Sequence, residues 1–341
     1  MREGRGLLVL RSALVLGLEL FPTSPAAGAL TEGARLAAIY DSILQARFDT
    51  ARAQLAQACP PAPLEACGAL EVVALWWEIQ LDPNNRRLDD RLQQSAAAAI
   101  RASEQWTTRE PDRAEAWFYL AGSRAPLVQW RVLRGQRLTA AREGKAIKDA
   151  LERALALDPT LHDAHFGIGL YHYYADVAPA ALKALRWLLL LPGGDRAQGL
   201  REMLMARDRG ELLGGEADYQ LHWLYFWYEE DRDAGLALLR RLDQRYPSNP
   251  LFLRRIAEVQ HEYFHDHAAS AASWEALIGR AGAAPERFPR LAVAHLELGS
   301  EYAHVGDHDR AIAELRQAID LAPDDDVDDI RARAQALLKK F

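Results

Sequence analysis

AVAHLELGSEYAHVGDHDRAIAELRQAIDLAP (residues 292–323) is the stretch whose reading decides the fold. Leu298, Gly299, Tyr302, Gly306, Ala311, Leu315, Ala318 and Pro323 follow one another at spacings of 1, 3, 4, 5, 4, 3 and 5. Spacings of three and four keep residues on one helix face, so the stretch reads as two helices broken at Gly306. Gly299 and Ala311 are small where two antiparallel helices must cross closely, and Leu298, Leu315 and Ala318 lie on the face between them. Gly306 makes the turn and Pro323 stops the second helix. One such hairpin cannot bury its apolar face alone, which calls for further copies along the chain.

The eight anchors resemble the tetratricopeptide consensus; His295, where that family prefers Trp, departs from it. The resemblance implies an all-α, right-handed superhelix whose first helices line a concave groove. The spacing recurs with wear. Ile147, Leu151, Ala154 and Pro159 repeat the second-helix pattern, and Ile168 and Gly169 open the next unit. Trp117, Leu120 and Ala121 fit a first helix, with a stretch from Gly122 to Gly144 longer than the consensus. Phe48, Ala51, Leu55, Ala58 and Pro63 fit a degenerate first unit, and Ala234 and Leu238 another. Hairpins are also expected over 64–81 with 87–106 and over 251–264 with 268–278, Asn249 capping a helix that starts at Pro250. About seven hairpins result, followed by a closing helix at 327–341 that covers the last apolar face. Residues 30–341 are thus expected to form a single solenoid.

A second resemblance covers residues 115–245. Phe166-Gly167-Ile168-Gly169-Leu170-Tyr171, Pro179, Leu191-Pro192-Gly193-Gly194-Asp195-Arg196 and Gly199-Leu200 resemble the central block of the inclusion body clearance protein family. Those divergent tetratricopeptide proteins act as adaptors in protein and lipid homeostasis. The resemblance implies shared architecture; the family's cellular role is not carried over, because the N-terminus here suggests export.

The chain has 341 residues, 50% of them hydrophobic, with a net charge of −7. It is too apolar for disorder, and without a basic stripe nucleic acid is not an expected partner. Arg2, Arg5 and Arg11, the apolar run from Ser12 to Phe21 and Ala27-Gly28-Ala29 form the three parts of an export signal over residues 1–29. This places the protein in the periplasm or outside the cell, the alternative being a cytoplasmic protein with a frayed N-terminus. Cys59 and Cys67, the chain's two cysteines, form a structural bridge if the protein is exported and stay free thiols if it is not. The run from Ala178 to Leu191 carries Lys183 and Arg186 and is too short to span a bilayer; a buried helix is expected there.

His261-Glu262-Tyr263-Phe264-His265 is an H-E-x-x-H string. On a continuous helix, His261 and His265 share a face that holds zinc, with Glu262 as general base and Glu275 as a downstream source of a third ligand. Repeat register instead ends the helix near Phe264 and puts His265-Asp266-His267 in a turn. On that reading there is no resident metal or cofactor, and a zinc-dependent hydrolase is the alternative. Gly193-Gly194-Asp195-Arg196 reads as a turn in which Asp195 caps a helix starting at Arg196. His165 and His295 are expected to be core histidines satisfied by a neighbour.

The chain's aromatic residues concentrate on two first helices. Register places Tyr173 and Tyr174 on the concave face of one unit and Tyr219, Trp223, Phe226 and Trp227 on that of a later one, with Arg254, Glu258, His261 and Glu262 following. Trp and Tyr dominate binding hot spots, so these ten residues are the candidate site for a protein or peptide in the groove. Trp223 and Trp227, at i and i+4, are its centre. The expected function is a non-catalytic scaffold or adaptor in the cell envelope.

Overall fold

A computed structural model describes residues 30–177, 193–282, 285 and 288–341. The export signal and the 178–191 run lie outside these. Among the described residues there are fifteen helices: α1 (Gly33–Leu44), α2 (Phe48–Ala58), α3 (Leu64–Leu81), α4 (Asp89–Arg109), α5 (Ala114–Leu133), α6 (Arg137–Leu157), α7 (Ala164–Val177), α8 (Arg196–Arg209), α9 (Gly214–Trp227), α10 (Arg232–Arg245), α11 (Pro250–Glu262), α12 (His267–Ala281), α13 (Leu291–His304), α14 (His308–Leu321) and α15 (Ile330–Leu338). They pair in chain order into seven hairpins plus a closing helix, an α-solenoid.

The deciding stretch forms α13 and α14. A Cβ on Gly299 would stand 2.8 Å from Leu315 Cγ and 3.2 Å from the carbonyl of Ala311, so the close crossing is real. Gly306 has φ 81°, a left-handed turn that side chains disfavour. Hairpin α7/α8 uses the same device twice: a Cβ on Gly169 would meet the Gly199 carbonyl at 2.6 Å, and one on Gly199 the Gly169 carbonyl at 2.5 Å. The long stretch from Gly122 to Gly144 is absorbed by extending α5 and α6 to 20 and 21 residues rather than by a loop. Asp195 accepts from the Gln198 amide at 2.8 Å, and Asn249 accepts from the Leu251 amide at 2.9 Å with Pro250 in the first turn, both as expected of caps. Cys59 and Cys67 are disulfide-bonded in the turn between α2 and α3.

The solenoid coils tightly enough for its inner faces to meet. α3 packs on its neighbours α4 and α5 and also on α11, far along the chain. Its sequence, LEACGALEVVALWWEIQL, is apolar around most of its circumference, with Glu71 and Glu78 on one narrow, partly exposed edge, as suits a helix packed on several sides. Trp77 lies 4.9 Å from Tyr219 and 5.9 Å from Phe252, ring centre to ring centre. One hydrophobic core therefore runs from α1 to the α11 residues Leu251 and Phe252. Polar contacts lock the same seam: Asn249 Nδ2 donates to the Leu44 carbonyl at 2.8 Å, and Tyr246 donates to Asp41 at 2.6 Å.

Candidate functional site

This seam divides the ten candidate residues. Tyr219 is 1% exposed, packed under Trp77, and so is unavailable to a partner. Arg254, 7% exposed, donates to the carbonyls of Leu81 at 3.0 Å and Gln80 at 3.2 Å; it caps the C-terminal end of α3 rather than reading a ligand. Phe226 is buried against Gly235 and Tyr263. Tyr173 is buried between α7 and α8, its hydroxyl donating to Glu229 at 2.5 Å. For these four the expected groove position is corrected: α1 and α3 cover the faces that carry Tyr219 and Arg254, α10 and Tyr263 cover Phe226, and the α7/α8 hairpin encloses Tyr173.

Of the remaining six, Tyr174, Trp227 and Glu262 are exposed and Trp223, Glu258 and His261 half-buried. Trp223 and Trp227 stack with ring centres 3.9 Å apart, and Trp227 is 43% exposed. Arg255 sits 4.8 Å over Trp223, within cation–π range, and pairs with Glu258 at 2.5 Å. At the far end Tyr263 meets Trp227 edge-on at 6.0 Å, with Arg232 5.3 Å above Tyr263. The result is a strip of rings between α9 and α11 with an arginine at each end, Glu258 alongside and Glu262 exposed at the end of α11. Arg255, Tyr263 and Arg232 were not singled out from the sequence. The open stripe of α11 is 255, 258 and 262: it shares Glu258 and Glu262 with the stripe read through Arg254 and is rotated from it by about 50°. Tyr174, 40% exposed, forms a separate edge-to-face group with Tyr173 and Tyr228. Beside it Arg196 bonds Glu229 at 2.8 Å and holds that carboxylate below its usual range.

The H-E-x-x-H geometry is not formed. α11 ends at Glu262, and His265 is exposed with φ 51° in the turn before α12. His265 is thereby removed from the His261 face, and Glu275 is engaged by the Tyr302 hydroxyl and by Arg310 at 3.4 Å. A different group assembles. His261 Nδ1 lies 2.7 Å from Glu301 Oε1, and His267 Nδ1 lies 2.8 Å from Glu301 Oε2. His304 stacks on His267, ring centres 4.3 Å apart. Glu301 was missed because it belongs to the next unit, 34 residues after His267; repeat spacing brings the ends of consecutive first helices together. His295 pairs with Glu314 at 2.6 Å, as expected of a satisfied core histidine, but His165 does not follow: its buried Nδ1 has no hydrogen-bond partner, and it is the neighbouring His172 that pairs with a glutamate, Glu202 at 2.7 Å.

Among the described residues, no helix is long and apolar enough to cross a membrane. A search of curated proteins finds no match. Similar solved structures include a human IFIT1 dimer with PPP-AAAA, 17% identical over 81% of this chain and 55% of that one, TM-score 0.44. A human IFIT1 dimer with m7Gppp-AAAA is 15% identical over 91% of this chain and 78% of that one, TM-score 0.46. A monomeric IFIT1 mutant with Gppp-AAAA is 14% identical over 92% and 75%, TM-score 0.45. The chain spans about half the length of the first of these. A family model, the tetratricopeptide repeat, matches residues 292–325. The chain is an all-α solenoid that carries a tetratricopeptide repeat at its C-terminal end.

Proposed function

We propose that this protein is a non-catalytic scaffold or adaptor of the cell envelope that holds a protein or peptide partner along the strip formed by Trp223, Trp227 and Tyr263. The observation that carries the reading is the stacked pair of half-buried Trp223 and exposed Trp227 beside a seam that the chain's own helices fill. Rigid aromatic rings supply contact area at little entropic cost, and flanking charges select the partner. Here Arg255 and Arg232 stand at the two ends of the rings, with Glu258 and Glu262 beside them. A peptide mixing apolar anchors with acidic residues suits the arginine ends.

Placement in the envelope rests on the export pattern of residues 1–29 and is supported by the Cys59–Cys67 bond, which persists in oxidising compartments. The zinc-hydrolase alternative needs His261 and His265 on one helix face, which α11 does not provide.

Immobilised protein incubated with periplasmic extract tests the scaffold reading. A partner retained by the native protein and released by Trp223→Ala or Trp227→Ala is expected; equal recovery on both variants would overturn it. A reporter fused after residue 29 and found only in the cytoplasm would overturn the envelope placement.

A further inference from the structure

His261 lies in the last turn of α11, His267 opens α12, and Glu301 lies near the end of α13. One ligand atom from each lies within 4.8 Å of the others. Glu301 is 2% exposed, and no lysine or arginine pairs with it among the described residues. A buried carboxylate normally has its charge answered by a cation. Imidazoles provide that answer imperfectly here. His261 Nδ1 approaches Glu301 Oε1 at 2.7 Å yet lacks the angle of a hydrogen bond, leaving a buried nitrogen with no hydrogen-bond partner.

We propose that His261, His267 and Glu301 bind one divalent transition-metal ion of the zinc class, clasping the α11/α12 hairpin to the first helix of the next repeat. Two imidazole nitrogens and one carboxylate oxygen are the donors zinc favours, and three protein ligands leave a fourth position open. Bonds of about 2.0–2.1 Å at tetrahedral angles set ligand atoms about 3.3 Å apart, and the three ligand atoms here already lie within 4.8 Å of one another, so small side-chain rotations bring them onto one ion. Both Nδ1 atoms face the carboxylate, so each ring carries its proton on Nε2 when the metal is bound. His304 stacks on His267 and bonds the Ser300 carbonyl through Nδ1 at 2.8 Å; it stands beside the site and outside the ligand set, which leaves the fourth position to solvent. The site shares only His261 with the H-E-x-x-H string and includes no general base from it. It is independent of the scaffold reading.

The test uses the full chain, untagged and stripped with chelator, titrated with Zn2+ by calorimetry and with Co2+ by visible absorption. Saturation at one ion per chain and a Co2+ d–d spectrum without thiolate charge transfer are expected. His267→Ala and Glu301→Gln should each weaken Zn2+ binding at least tenfold, whereas His265→Ala should leave it unchanged. Because Glu301 is buried, His261→Gln, at a half-exposed position, serves as the variant least able to disturb folding, checked by circular dichroism. No uptake, uptake unaffected by His261→Gln and His267→Ala, or uptake lost in His265→Ala would overturn the proposal.

Discussion

Trp77 Nε1 donates to the Glu216 carboxylate at 2.9 Å across 139 residues of sequence, and Tyr40 donates to the same oxygen at 3.0 Å. This three-way contact ties α1 and α3 to α9 where the solenoid closes on itself. Glu216→Ala removes the acceptor of two buried donors, and each orphaned donor costs about 1–3 kcal/mol. We expect a loss of about 2–4 kcal/mol by denaturant unfolding. Glu216→Gln keeps an acceptor oxygen and should lose less. Burial raises the Glu216 pKa above its usual value, so the folded state holds the proton to higher pH than the unfolded one. Its contribution is therefore full below the unfolded pKa, about 4.3, and declines as pH rises through the folded value. Glu216→Gln should flatten that decline; an unchanged pH profile would count against it.

Tyr219 and Trp227 sit two turns apart on α9 and separate packing from binding. Tyr219→Ala opens a cavity beneath Trp77 and should cost about 3–5 kcal/mol. Trp227→Ala removes an exposed ring and one stacking partner and should cost about 1 kcal/mol or less, while abolishing capture of the partner. Urea midpoints with unchanged slopes give both numbers. A Trp227→Ala loss as large as that of Tyr219→Ala would mean that the indole is a core residue and the strip is closed.

The hairpins were legible because small residues, turns and caps act locally: Gly299, Gly306, Asn249 and Asp195 each do in the structure what their spacing implied. The closure of the groove was not legible from repeat register, which places first helices on an inner face but says nothing of the coil's diameter. A signal was present nonetheless. The α3 sequence around Trp76 and Trp77 and the α9 sequence around Tyr219 and Trp223 are apolar on more than one side, and a helix apolar on two sides needs cover on both. Arg254 misled for a related reason: a charged side chain beside Glu258 looks like groove chemistry, and only the distant end of α3 reveals its acceptors.

The Cys59–Cys67 bond closes a loop with a sequence separation of eight. Loop-closure entropy for so short a segment amounts to about 2–3 kcal/mol. Pro60, Pro61 and Pro63 already stiffen this segment in the unfolded chain, which reduces what the bond adds. Reductant, or paired Cys59→Ser and Cys67→Ser substitutions, should therefore lower stability by no more than that figure, read from guanidinium midpoints. The double variant should be insensitive to reductant; a residual shift there would show that the reductant acts elsewhere.

His222 should set part of the acid limit of the fold. It is 1% exposed among the rings of Tyr219, Trp223 and Phe226, and its Nδ1 bonds the Tyr219 carbonyl. Burial, reinforced by the nearby Arg255 charge, lowers its pKa from 6.5 to about 3. The unfolded chain takes up a proton below about 6.5 while the folded chain refuses it, so stability falls as pH drops from there toward about 3. One such group contributes a slope of at most about 1.4 kcal/mol per pH unit. His222→Leu removes the titration while filling the same apolar space, and the helix still supplies the Tyr219 carbonyl with its backbone partner at Trp223. Its stability should lie below that of the native protein at pH 8 and approach or exceed it near pH 4, a crossing that circular dichroism at graded denaturant resolves. Parallel pH profiles for the two proteins would mean that His222 is protonated inside the fold.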